Sequence, residues 1–206
     1  MSQAVNGAVN DDAVDRGRRT WIAITCGAGA VGGAAVAVPF VSTFTPSERA
    51  KAAGAPVRVD IGALQPGEKL TVEWRGKPVW IVRRTKEQLE SLKKTDPQVA
   101  DPNSERTQYP TPAYAKNEHR SIKPEYFVAV GICSHLGCSP TDKFQPGAQP
   151  SLPDDWAGGF LCPCHGSTFD IAGRVFKNKP APDNLEVPPH VYLSDTVLLI
   201  GEDKQA

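Results

Sequence analysis

Short apolar runs separated by turn residues recur from position 57 to the C-terminus. Some alternate apolar and polar side chains, as half-buried strands do, and others are continuously apolar, as fully buried strands are. The runs cover residues 57–61, 70–74, 79–82, 126–130, 191–193 and 197–200. The last two flank Ser194-Asp195-Thr196 and predict a closing hairpin. This pattern favours a mainly β head over residues 57–206, an antiparallel β sandwich or a barrel-like fold.

One short helix is predicted between the third and fourth runs. Thr85 and Gln88 have the spacing of a capping box, in which the hydroxyl accepts from the first turn and the amide reaches back. The helix should reach about position 94, where Asp96-Pro97 stops it. Residues 97–125, called the excursion below, are polar and rich in proline, and we expect them to run over the surface.

The first fifty residues follow a different pattern. No residue from Thr20 to Ser47 is charged, and this length exceeds the roughly 20 residues that cross a bilayer as a helix. We therefore predict a single transmembrane anchor over residues 20–44. Three arginines at positions 16–19 precede it. The positive-inside rule then places residues 1–19 in the cytoplasm and the head on the periplasmic side of a bacterial inner membrane.

Arg18 and Arg19, followed by Thr20-Trp21-Ile22, resemble a twin-arginine export signal. The many glycines and alanines of the anchor keep its hydrophobicity low, which fits that route. Two alternatives stay open: an ordinary membrane anchor with a chance arginine pair, and a signal that is cleaved after export. Cys26 inside the stretch is expected to be a small apolar residue.

Residues 45–56 contain no large apolar side chain and can bury little surface. We interpret them as a flexible tether between anchor and head, with a passive linker as the alternative. Residues 1–15 are polar and are expected to be disordered.

The composition limits the class of protein but does not indicate a function. The 206 residues carry 23 basic and 23 acidic side chains, so nothing global favours binding to nucleic acid. At 40% hydrophobic the chain can bury a core, and 19 prolines with 18 glycines imply many turns. The length suits one domain with appendages.

Two runs concentrate residues that bind soft metals: Cys133-Ser134-His135-Leu136-Gly137-Cys138 and Cys162-Pro163-Cys164-His165-Gly166-Ser167. Zinc fingers usually pair Cys with Cys and His with His. Each run offers instead a mixed pair, Cys133 with His135 and Cys162 with His165. Cys138 and Cys164 are left over, and outside the cytoplasm they could form a disulfide.

The two runs resemble the signature of the Rieske iron–sulfur proteins. The anchor, the tether and the later Lys179-Pro180-Ala181-Pro182 and Asn184-Leu185 are similar to the iron–sulfur subunits of ubiquinol–cytochrome c reductases. The resemblance covers roughly residues 18–201. It implies a [2Fe–2S] cluster held by a subdomain at about residues 127–182.

The resemblance gives each residue of the runs a role. Cys133 and Cys162 would bind one iron, and His135 and His165 the other, exposed iron. Neutral imidazoles in place of thiolates raise the potential to about −150 to +300 mV. The remaining cysteines, Cys138 and Cys164, would form the disulfide.

Other residues would shape and tune the site. Gly137 and Gly166 would let the loops fold back closely, and Ser167 would donate a hydrogen bond to a bridging sulfide. An apolar cover would come from Leu136, Pro180, Ala181 and Pro182.

Two features depart from the family pattern. High-potential members have a tyrosine two residues after this serine, whereas Phe169 has no donor, which implies a potential below the highest in the family. The segment between the two runs, residues 139–161, is long. We expect a larger loop at the edge of the head and assign it no function.

The resemblance also implies an activity. His165 would accept a hydrogen bond from ubiquinol and take up one electron and one proton. The head would then rotate on its tether and deliver the electron to a c-type haem, while the second electron of the quinol goes to a b-type haem. The chain would thus be one subunit of a dimeric membrane complex with b-type and c-type cytochromes, and not a complete enzyme alone.

Three other classes of protein also use such ligands. A Rieske oxygenase needs a second site of two histidines and a carboxylate, and only His119 and His190 remain, expected on the surface and at a loop or strand edge. The small Rieske subunit of a periplasmic oxidase acting on a small inorganic substrate is another. A structural zinc protein is the third.

Overall fold

The structure is a computed structural model and describes residues 11–203. Residues 1–10, most of the segment that was predicted to be disordered, lie outside the described residues. The chain divides into two compact units, one ending at Lys51 and the other beginning at Ala52. Each unit is described by itself.

Helix α1, Asp11–Ser42, accounts for most of the first unit. Within its stretch Asp15–Ser42 an 18-residue window has a mean hydropathy of 1.8, and the helix could cross a membrane by its length and composition. Residues 11–15 belong to this helix and are therefore not disordered. A second helix, α2, spans Glu48–Ala53 and lies within the range predicted as tether.

The described part of the second unit contains nine short strands. They are β1 Val57–Asp60, β2 Lys69–Trp74, β3 Lys77–Arg83, β4 Tyr126–Val130, β5 Thr141–Lys143, β6 Gly159–Leu161, β7 Thr168–Asp170, β8 His190–Tyr192 and β9 Val197–Ile200. They form three antiparallel sheets in the orders β1-β9-β8, β2-β3-β4 and β5-β6-β7. The mainly β, sandwich-like prediction is confirmed, as is the closing hairpin of β8 and β9. Over residues 52–203 the sheets do not close into a barrel.

The β2-β3-β4 sheet lies between two hydrophobic cores. Along β3, Val79 and Ile81 belong to the core shared with β1 and β9. Trp80 between them belongs to the other core, shared with β6 and β7. This separation follows from the alternation of side chains on a strand. The second core also contains Cys133 and Cys162, so the predicted metal-binding runs stand on it.

Helix α3, Lys86–Thr95, begins as predicted. The Thr85 hydroxyl accepts from the backbone N–H of Gln88 at 3.3 Å. In return the Thr85 N–H donates to the Gln88 side-chain oxygen at 2.9 Å. The helix ends one residue later than expected and passes into a 3-10 turn at Asp96–Gln98.

The excursion is more deeply buried than predicted. It carries a 3-10 turn, Ala113–Ala115, and several of its polar side chains are buried. These are Asp101, Ser104, Thr111, Arg120 and Ser121. His119, predicted to lie on the surface, has a buried Nδ1 atom. Polar contacts therefore help to hold this segment to the head, beside the buried Val99 and Ala115.

The long segment 139–161 is a hairpin rather than a free loop. Its ends are β5 and β6, which pair with each other. Trp156 folds back, donates from Nε1 to the Lys143 carbonyl at 2.8 Å, and packs on Phe176 with ring centroids 5.6 Å apart. One buried tryptophan therefore anchors the segment.

Candidate metal centre

The first cysteine run forms a tight loop directly after β4. The Cys133 N–H donates to the Cys138 carbonyl at 2.7 Å, and the Gly137 N–H donates to the Cys133 carbonyl at 3.1 Å. Gly137 has φ +81°, a conformation that a side chain disfavours. Gly131, which leads into the loop, is equally required, because a Cβ there would lie 2.2 Å from the Trp80 ring.

The second run joins β6 to β7 with the same pair of bonds. The Cys162 N–H donates to the Ser167 carbonyl at 2.7 Å, and the Gly166 N–H donates to the Cys162 carbonyl at 3.0 Å. Gly166 has φ +74°. Both loops therefore close over the same number of residues, although the histidine stands one position later in the second.

A disulfide joins the two loops. Cys138 and Cys164 are bonded at 2.10 Å, which confirms the predicted pairing. The sulfur of Cys162 lies within 4.8 Å of both. Since the other two sulfurs are bonded to each other, only Cys162 of this group offers a free thiol to a metal.

The four predicted ligands are two buried thiols and two neighbouring imidazoles of these loops. Cys133 and Cys162 are free thiols, each only 1% exposed. The rings of His135 and His165 lie with centroids 4.7 Å apart and planes at 89°. His165 is exposed and His135 is half-buried. Two thiols and two imidazoles are the types of ligand that a Rieske cluster uses.

One unsatisfied polar atom indicates that these residues fit a metal. Nδ1 of His135 is buried without a hydrogen-bond partner in the described part of the chain. Such an atom costs roughly 1–3 kcal/mol, and a bond to a metal would satisfy it.

Electrostatics favour the same conclusion. Burial raises the pKa of the Cys133 thiol, and the nearby Cys162 sulfur raises it further. Two buried thiolates need a cation beside them, and iron would supply one. The residues present therefore fit a cationic metal centre.

Two serines fix the segment that follows the second run, the proline loop (residues 180–182). Ser167, fully buried, accepts from the Ala181 N–H at 3.0 Å. Ser134 donates to the Asp183 carbonyl at 2.6 Å and accepts from the Asp183 N–H at 3.2 Å. Sequence reasoning missed Ser134 and Asp183. A hydroxyl directly after a predicted ligand cysteine was the available signal.

The remaining predicted residues lie in contrasting surroundings. Leu136 is 70% exposed at the tip of the first loop. In the proline loop, Ala181 is buried whereas Pro180 and Pro182 are exposed. Phe169 is fully buried in the core that contains Cys133 and Cys162.

The arginine pair belongs to the first unit. Both residues lie on α1, and Arg19 forms an ion pair with Asp15 at 2.7 Å.

Two protein families match the chain. Residues 107–189 match the Rieske [2Fe-2S] domain. Residues 10–47 match the twin-arginine signal of the ubiquinol–cytochrome c reductase iron–sulfur subunit. The cluster type and the export signal predicted from the sequence are thereby confirmed.

Curated relatives agree with both families. The ubiquinol–cytochrome c reductase iron–sulfur subunit of Allochromatium vinosum is 58% identical over 188 residues, covering 91% of this chain and 89% of the relative. The subunit of the same name from Bradyrhizobium diazoefficiens is 40% identical over 186 residues, covering 89% and 94%.

Among solved structures, a chain of a hyperthermophilic respiratory complex III is 28% identical. The match covers 86% of this chain and 98% of that chain, with a TM-score of 0.45. With two iron–sulfur subunits so similar over nearly their whole length, the chain belongs to the Rieske [2Fe–2S] subunits of ubiquinol–cytochrome c reductase.

Proposed function

We propose that this subunit takes one electron and one proton from ubiquinol at His165 and passes the electron to a c-type cytochrome. The observation that carries the proposal is an exposed histidine, His165, whose ring lies 4.7 Å from that of His135 and which shares its loop with the buried thiol of Cys162. The Rieske family and the named relatives support it.

Four side chains would hold the cluster. Cys133 and Cys162, both buried, would bind as thiolates, and His135 would bind through Nδ1, the atom that otherwise lacks a partner. His165 would complete the set from the exposed side. When bound, the [2Fe–2S] cluster supplies a one-electron acceptor whose potential is raised by the imidazoles.

His165 would serve as the port for substrate. A coordinated imidazole keeps one ring nitrogen free, and the exposure of His165 leaves that atom accessible to a quinol hydroxyl. Leu136, exposed at the tip of the other loop, offers apolar surface of the kind that a quinone ring prefers. The free nitrogen would accept the hydrogen bond and then hold the proton.

Cys26 provides a matched control for the ligand assignment. Cys133→Ser and Cys162→Ser should each abolish the Rieske EPR signal and lower the iron content of the purified full-length chain. Cys26→Ser should leave both unchanged, because Cys26 is an exposed free cysteine on α1. A full signal in Cys133→Ser would refute the ligand set.

The export signal and the apolar helix indicate a membrane-anchored subunit of a bacterial complex. We propose that Arg18 and Arg19 direct export, with residues 1–19 in the cytoplasm, residues 20–44 in the membrane and residues 57–206 in the periplasm. The head would work with a b-type and a c-type cytochrome subunit in a dimeric complex.

The tether would let the head travel between these partners. Helix α2 lies inside residues 45–56, is held by a Lys51–Glu48 ion pair at 2.7 Å, and is only six residues long. Because isolated helices of this length are marginal in water, α2 does not make the tether rigid.

Inserting several prolines between positions 50 and 54 should slow quinol oxidation by the assembled complex while cluster content stays unchanged. Insertion of the same number of alanines is the control for length. Unchanged turnover in the proline variant would contradict a moving head.

A further inference from the structure

The excursion contains a fully buried arginine whose hydrogen bonds all go to neutral oxygens. Arg120 is 0% exposed, and burial lowers its pKa to about 10. No carboxylate oxygen of residues 11–203 forms an ion pair with it. Its acceptors are Ser104 Oγ at 2.8 Å, Ala172 O at 2.9 Å, Gly173 O at 3.2 Å, Thr111 Oγ1 at 2.7 Å and Leu185 O at 2.8 Å.

These acceptors come from three separate segments. Two hydroxyls belong to the excursion itself, and two carbonyls belong to the turn that follows β7. The fifth acceptor, the carbonyl of Leu185, lies three residues beyond the proline loop. Packing here is close, since a Cβ on Gly173 would lie 3.2 Å from Nη1 of Arg120. One guanidinium therefore ties the excursion to both segments.

Asn184 makes a second connection to the excursion. Its side-chain oxygen accepts from the Val175 N–H at 2.9 Å. Its amide donates to the Asp101 carbonyl at 2.9 Å and to the Ser104 hydroxyl at 3.4 Å. Ser104 is thus shared between Asn184 and Arg120, and the two buried groups form one network.

The same short segment also bonds to both cysteine loops. Ala181 is held by Ser167 of the second loop, and Asp183 by Ser134 of the first. Residues 181–185 therefore lie between the predicted metal centre on one side and the buried network on the other. Because only residues 183 and 184 separate Leu185 from the proline loop, a displacement of the network would move that loop.

We propose that Arg120 is a positioning residue: together with Asn184 it holds the proline loop against the two cysteine loops, and the excursion is its support. The inference rests on the proposed ligand set only for where the cluster lies. It gives the excursion a role that its composition did not suggest.

The shape of the guanidinium is what the role requires. Arginine presents five donors in a planar fork, whereas lysine presents three donors from a single nitrogen. Arg120→Lys keeps the charge yet cannot reach acceptors on three segments. The buried carbonyls of Ala172 and Leu185 would then lose their donor, and the segment behind the proline loop would loosen.

Backbone hydrogen exchange of the full-length, cluster-loaded chain in detergent tests this directly. In Arg120→Lys the amides of Ala181, Asp183 and Leu185 should exchange at least about tenfold faster, the effect of losing roughly 1.4 kcal/mol of local stability. The midpoint potential should shift as well, because the apolar cover of the cluster moves.

Arg84 is the matched control. It is also buried, at 2% exposed, but its donors go to His119 O, Ser121 Oγ and Pro124 O, all within the excursion. Arg84→Lys should destabilise the head without selectively speeding exchange at residues 181–185. Equal acceleration in both variants, or wild-type exchange rates in Arg120→Lys, would overturn the proposal.

A milder variant covers the case in which Arg120→Lys does not fold. Thr111→Val removes one acceptor from Nη2 of Arg120 and should speed exchange at the same three amides by a smaller factor. Wild-type exchange at these amides in Thr111→Val would then refute the proposal. A full Rieske EPR signal in Cys133→Ser would refute the proposed ligand set without altering the exchange rates measured here.

Discussion

Phe169→Tyr is the most direct test of how this head sets its potential. The ring is 0% exposed and lies on β7 opposite Phe160 of β6. It shares a core with Cys133 and Cys162. The substitution adds one hydroxyl to this core, in which the cysteine sulfurs can accept a hydrogen bond.

The size of the effect follows from two limits. Hydrogen bonds to charged groups contribute about 1.5–3 kcal/mol, and only the part that differs between the two redox states changes the potential. If that part is about 1 kcal/mol, the potential rises by roughly 40 mV, since tenfold in a one-electron equilibrium is about 59 mV. A hydroxyl that finds no acceptor would instead cost about 1–3 kcal/mol of stability and leave the potential unchanged.

Protein-film voltammetry of the full-length chain measures the difference. Phe160→Tyr is the control, because Phe160 lies in the same sheet but stacks on Trp80 with centroids 5.1 Å apart. We expect a rise for Phe169→Tyr alone. A folded, cluster-loaded Phe169→Tyr protein with the wild-type potential would refute the reasoning, as would an equal rise in the control.

Three further predictions concern stability. Asp170→Asn breaks the buried ion pair with Arg174 at 2.8 Å and should lower the free energy of unfolding by about 3–5 kcal/mol in denaturant titrations. Asp96→Asn removes the half-exposed carboxylate that also pairs with Arg174 and should lower it by under about 1 kcal/mol. Cys138→Ser with Cys164→Ser opens a 26-residue loop and should cost about 3.5 kcal/mol, an amount also lost when the wild type is reduced. Burial lowers the pKa of His190, so its contribution is present above the unfolded pKa of about 6.5 and is lost as pH falls below it. Unfolding midpoints of His190→Gln should therefore fall less steeply with acid than those of the wild type, and parallel curves would contradict this.

Local signals in the sequence predicted the strands, the capping box and the metal-binding runs. In each case the physical cause lies within a few residues: alternation along β2, the reciprocal bonds of Thr85 and Gln88, or a ligand spacing inside one loop. The disulfide could be predicted because the family signature carries an extra cysteine in each run.

The parts that were missed depend on partners distant in the chain. Arg120 lies in a polar, proline-rich stretch and looks like an exposed residue. Its burial depends on carbonyls 52 to 65 positions away, which no local pattern reveals. The strands β5 and β6 have only three residues each and show no alternation of apolar and polar side chains that would predict them.

Strand β3 allows two properties of the head to be varied separately. Val79 and Ile81 face one core, and Trp80 faces the core beneath the cysteine loops. Substitutions one position apart therefore act on different cores. Those at Val79 or Ile81 change the core shared with β1 and β9, and those at Trp80 change the core that contains Cys133 and Cys162. Relatives could adjust the potential of the cluster through the position of Trp80 and keep thermal stability through those of Val79 and Ile81. Insertion of a single residue into β3 would turn each of these side chains toward the other core.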